Sequence, residues 1–233
     1  MEVLIMRELY TSVGRFCRRG HGDFIYPYVN INGKDYTLDM QEMTVWVLLN
    51  WRILDLDQLK SLYEAHIKKA ELLSLGSITD CVNRLTQRGL VVSGKGETGA
   101  DALYNLLSGL YIVPISENPL LRFFSFLRLT LFHGVPYPVA RKLLVRDKRS
   151  STEQQIIHLS KQTLLSTAEI IRCAELQVSD LPTEEAVLDA LYGDDITTSD
   201  NLADTVRYSR QRNNVLAAIS NLYLRRQITF ERI

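Results

Sequence analysis

The strongest constraint on this chain is a change in apolar period at Asp39. Before it, Phe24 to Asn30 and Lys34 to Leu38 read as strands flanking Asn32-Gly33. Asn-Gly is the strongest two-residue hairpin signal, because both positions tolerate positive φ. From Asp39 the spacing turns helical. Asp39 can cap a helix with Glu42 three residues on, and Val45, Leu48, Leu49 and Ile53 carry its stripe. A second helix is expected from Asp55 to Lys69, with Leu56, Leu59, Leu62, Tyr63 and Ile67 inward. Ser74 opens a third, with Ile78, Cys81, Val82 and Leu85 inward, and Gly89 ends it. Leu90-Val91-Val92 then reads as a strand.

At about 100° per residue, the third helix places Gly76, Asp80, Asn83, Arg84 and Gln87 opposite its apolar stripe. Asn, Gln and Arg are side chains that contact base edges bidentately in a major groove. The run Arg84-Leu85-Thr86-Gln87-Arg88-Gly89-Leu90-Val91 resembles the end of the recognition helix and first wing strand of MarR-like winged-helix regulators. The resemblance covers residues 40–116. It implies a helix-turn-helix that contacts double-stranded DNA through Ser77, Asn83, Arg84, Gln87 and Arg88, with Lys95 reaching a phosphate from the wing. It also implies dimerisation through helices outside the winged domain. Asp80 within the exposed face opposes phosphate, and winged helices also serve as non-catalytic protein-binding modules, so that second reading stands beside the first.

Enzyme signals are weak by comparison. Gly94-Lys95-Gly96-Glu97-Thr98-Gly99 is formally G-x-G-x-x-G after a strand-like run and before a helix, with Glu117 further on. The parallel strands of a dinucleotide-binding sheet are missing, and the glycines read as the mobile tip of a wing. Gly89 to Gly96 misses a P-loop, because Gly96 stands at the hydroxyl position. His21, His66, His133 and His158 have no metal-ligand spacing. Glu184-Glu185 and Asp194-Asp195 read as a helix start and a loop, and Trp46 and Trp51 as core. No catalytic residue, metal or cofactor is expected.

Charge sets the remaining limits. The 233 residues carry 27 basic and 27 acidic side chains, which excludes a uniformly basic coat. The neutrality is blocked along the chain: residues 122–149 are basic, 150–204 strongly acidic and 205–233 basic again. Partial cancellation between neighbouring helices is expected, leaving Arg207, Arg210 and Arg212 as secondary DNA contacts. Cys17, Cys81 and Cys173 form no disulfide framework, and no apolar run is long enough for a signal peptide or a membrane span. A cytoplasmic location follows as an expectation.

The fold expected is mainly α with short β elements: a hairpin and winged-helix domain over 1–118, and a helical domain over 119–233. Helices are expected at 119–132, 138–146, 152–165, 167–177, 183–192, 199–208 and 210–226, then a strand near Gln227–Ile233. There is no clear internal repeat, although the tail faintly copies the order of 40–92. Its last three helices could form a degenerate second winged helix, with Arg207, Arg210, Arg212, Asn213 and Asn214 at the start of the third.

Overall fold

A computed structural model describes residues 6–21, 24–70, 76–115, 148–194 and 196–232. The expected helices at 119–132 and 138–146 and most of the basic block 122–149 lie outside them. Among the described residues are nine helices and three small antiparallel sheets, a mixed α/β arrangement. In chain order these are β1 (Arg7–Ser12), β2 (Arg15–His21), β3 (Phe24–Ile31), β4 (Lys34–Tyr36), α1 (Met40–Leu49), α2 (Leu56–Ala70) and α3 (Ile78–Gln87). Then come β5 (Val91–Gly96), α4 (Gly99–Leu107), β6 (Tyr111–Pro114), α5 (Ser151–Gln162), β7 (Leu165–Ser166) and α6 (Thr167–Leu176). The remainder is α7 (Glu184–Tyr192), α8 (Leu202–Val206), α9 (Arg212–Leu224) and β8 (Ile228–Glu231).

Local chemistry explains the element boundaries. Asn32 and Gly33 have φ of 45° and 77°, so the Asn-Gly turn closes β3 onto β4. The Asp39 side chain accepts from the Glu42 N–H while Glu42 reaches back to the Asp39 N–H. Ser77, not Ser74, caps the third helix. The helix expected at 199–208 is only the five residues of α8.

The expected glycine loop is instead a packed strand. Gly94 and Gly96 lie in β5, which pairs antiparallel with β1, and α4 folds across them. A Cβ on Gly94 would overlap the backbone of Ala102 and Leu106, and one on Gly96 the backbone of Asp101 and Ala102. β6 does not join β5; it pairs with β7 and β8. The βαβ unit of a dinucleotide fold is therefore absent at this G-x-G-x-x-G.

A repeat emerges that the sequence barely hints at. One shift of 111 residues carries Asp39, Glu42, Leu54 and Asp55 onto Ser150, Glu153, Leu165 and Ser166. All four acid or hydroxyl caps act alike: Asp39 with Glu42, Asp55 with Gln58, Ser150 with Glu153 and Ser166 with Glu169. A shift of 137 carries Leu85, Gly89 and Leu90 onto Leu222, Arg226 and Gln227. Gly89 and Arg226 both take positive φ, and the next N–H, of Leu90 or Gln227, returns to the Leu85 or Leu222 carbonyl. The middle strands match too. β1 lies between β5 and the Tyr10–Leu54 bridge, and β6 lies between β8 and β7. Each unit is thus α1–α2–α3 or α5–α6–α9 with a three-part sheet. The 26 residues by which the shifts differ hold α7 and α8, an insertion before the last helix of the second unit.

The units share one core. Tyr223 is buried at their joint, where its Oη accepts from the Trp51 N–H at 3.0 Å and is hydrogen-bonded to Thr11 Oγ1 at 2.9 Å. The insertion also ties the units together, through Tyr104 Oη donating to the Ala203 carbonyl and Arg207 to Asn105 Oδ1.

Candidate nucleic-acid interface

α3 separates its faces cleanly. Cys81, Val82 and Leu85 are buried and Ile78 half-buried, while Ser77, Asp80, Asn83, Arg84 and Gln87 are exposed. The burial comes from packing on α1 and β5, and the Ser77 Oγ cap on the Asp80 N–H fixes where the helix starts. An open groove of about 580 Å3 runs between the starts of α1 and α3, lined by Asp39, Gln41, Gly76, Ser77, Asp80 and Arg84 among others.

The cations of this face are partly committed within the chain. Arg84 lies 3.5 Å from Glu42 and 3.9 Å from Asp39, yet its side chain stays 47% exposed. Arg88 is more tightly held: it donates at 2.6 Å to Glu42 Oε2 and at 2.6 Å to the Thr37 carbonyl. Arg88 therefore anchors the C-terminus of α3 to the start of α1. Lys95 is exposed on β5, 3.5 Å from Glu8. Asn83 and Gln87 are exposed amides that flank Arg84 on the helix surface.

The second unit repeats the anchoring pair. Arg225, at the end of α9, bonds the buried Glu153 in the capping box of α5, as Arg88 bonds Glu42. On α9 the exposed residues are Asn213, Asn214, Ala217, Asn221 and Leu224, at the positions of Gly76, Ser77, Asp80, Arg84 and Gln87, so the second unit carries a leucine where the first has Gln87. Asn221 was not singled out in the sequence; only the shift of 137 could have pointed to it. Of the three arginines near the start of α9, Arg210 alone is exposed. Arg212 is mostly buried against Asp101 at 3.1 Å, and Arg207 bonds Asn105. Both lie over the Tyr104 ring, whose hydroxyl burial pushes up to about 12.

Among the described residues no group of three His, Cys, Asp or Glu could hold a metal ion. Burial pushes the Cys81 and Cys173 thiols up to about 11 and about 12, away from the reactive thiolate. His158 lies 3.2 Å from an exposed Asp180, whose carboxyl is held below the usual range by the Gln162 amide and then His158. Among the described residues, no helix is long and apolar enough to cross a membrane. No protein-family model matches the chain, and no match was found among curated proteins or solved structures.

Proposed function

We propose that this chain is a DNA-binding winged-helix protein, a regulator acting on double-stranded DNA in the cytoplasm, with α3 as the helix that enters the major groove. The observation that carries the reading is the α3 face, where Asn83, Arg84 and Gln87 stand outward from a rigid helix packed behind by Val82 and Leu85. The repeat supports it. In the second unit α9 offers Asn213, Asn214 and Asn221 outward, and Arg210 lies beside them. Two reading helices in one chain extend the contact, and a homodimer would double it again.

Fluorescence anisotropy with duplex DNA, titrated across salt, tests this. Binding is expected to fall steeply with salt. Arg84→Ala should weaken it about tenfold without unfolding the protein, and Asn83→Ala with Gln87→Ala should narrow the difference between sequences. Of the arginines near α9, Arg210→Ala should lower the salt slope by roughly one unit, since Arg207 and Arg212 already have partners. Salt-independent binding, or none, rejects the reading.

One observation favours the runner-up, a protein-binding module on the same scaffold. Arg84, Arg88 and Lys95 all face carboxylates of this chain, which leaves the surface near neutral. A protein partner lost on Arg84→Ala, with duplex binding absent, would establish that alternative.

A further inference from the structure

The ribbon β2–β3–β4 has a composition unlike the rest of the surface. Its described residues carry Arg15, Arg18, Arg19 and Lys34 against the single acid Asp35. Alternation along a strand and the antiparallel register sort these side chains by face. Arg15, Cys17 and Arg19 of β2 share a face with Tyr26, Tyr28 and Asn30 of β3, since Arg19 pairs with Tyr26 and Cys17 with Tyr28. The opposite face is partly core: Val29 is fully buried and Ile31 nearly so. The Tyr-bearing face therefore points outward, with Tyr26 58% exposed and the Arg19 side chain 69% exposed. Arg19 already lies over the Tyr28 ring, 5.3 Å from its centroid, and on the other face Arg18 lies over the exposed Phe16 at 5.3 Å.

We propose that this ribbon is a binding surface for single-stranded nucleic acid, separate from the duplex-reading helices. Two aromatic rings two residues apart on one strand lie roughly 7 Å apart, a span over which an extended single strand can place unstacked bases. Arg15 and Arg19 on the same face supply positive charge for phosphates, which an apolar peptide would not use, and the rings favour stacked bases over an acidic peptide. The rings distinguish a single strand from a duplex, whose bases are already stacked and present no free face. The ion pair of Arg19 with Asp35 is open to solvent on the arginine side and exchanges readily for a phosphate. The first unit alone supplies this surface; Arg15 and the Asn32 N–H moor it to Glu231 of β8.

The test is anisotropy of fluorescein-labelled oligo-dT and oligo-rU of twenty nucleotides, beside a duplex of equal length, on the full chain. Single strands should bind, and Tyr26→Ala should weaken them roughly 5- to 150-fold, the range for one lost stacked base. Arg19→Ala should lower the salt slope by about 0.7, the value for one phosphate contact on a single strand. Tyr26→Ala should keep the parent circular dichroism spectrum and duplex affinity, which guards against a merely unfolded ribbon. Duplex binding should respond to Asn83→Ala and Gln87→Ala but not to Tyr26→Ala, so the two sites fail independently. Absence of single-strand binding overturns the proposal, as does binding that Tyr26→Ala leaves intact or that heparin of equal charge reproduces in full.

Discussion

Glu42 and Glu153 are the residues on which each unit turns. Each carboxylate closes a capping box and receives the arginine that ends the third helix of its unit. Glu42→Ala or Glu153→Ala breaks both contacts at once. Losing one partner of a buried pair costs ~3–5 kcal/mol. The arginine heads here reach water, so about 2 kcal/mol is expected for either variant. Urea midpoints at unchanged slope would measure it, and Arg19→Ala, which breaks an exposed pair, should cost under about 1 kcal/mol. The cysteines offer an independent check. Cys81 and Cys173 are buried with raised thiols, while Cys17 is partly exposed. A raised value leaves less thiolate at neutral pH, so maleimide at pH 7.5 should modify Cys17 alone until urea opens the core. Mass spectrometry showing fast labelling of Cys81 in the native protein would contradict the packing of α3.

At the scale of elements, most helices and the β3–β4 hairpin were readable from local chemistry, and the other strands and their partners were not. The Asn32-Gly33 turn, the Asp39 cap and the inward stripe of α3 each depend on residues a few positions apart. The pairing of β1 with β5 depends on strands some eighty residues apart, and nothing within β1 names its partner. The same distance hid half of the candidate site: Asn83 and Gln87 stand where a helical projection puts them, but Arg88 is claimed by a glutamate 46 residues earlier. The repeat was masked by the inserted α7 and α8 and by Arg226 standing where the first unit has Gly89. The glycines of β5 misled because close packing and loop flexibility call for the same residue. Gly94→Ala or Gly96→Ala should therefore destabilise by about 2–3 kcal/mol through overpacking against α4. Gly20→Ala, with open space around it, should be near neutral. Thermal unfolding of the three variants side by side checks this; near-neutral Gly94→Ala would argue that α4 does not cover β5.

For the whole molecule, the joint between units decides whether it behaves as one body. Tyr223 joins the second unit to Thr11 and to the Trp51 N–H of the first, and Arg226 lies over the Trp51 ring at 5.1 Å. Tyr223→Phe leaves the Trp51 N–H without its acceptor, at a cost of about 1–2 kcal/mol. Because one buried core spans both units, near- and far-ultraviolet circular dichroism should trace a single coincident transition. Two separated transitions would mean that the units melt independently. The mooring of the ribbon has a further consequence, in time rather than space. Gly14 donates its N–H to the Phe230 carbonyl and accepts from Thr229, contacts that span 215 positions in the latter case. At roughly 5–20 residues per second, a ribosome needs on the order of ten to forty seconds between making the two ends of that clasp. Throughout that interval the emerging ribbon lacks its contacts with β8, so the nascent chain is exposed to chaperones, and to its neighbours on the same polysome, at this basic segment.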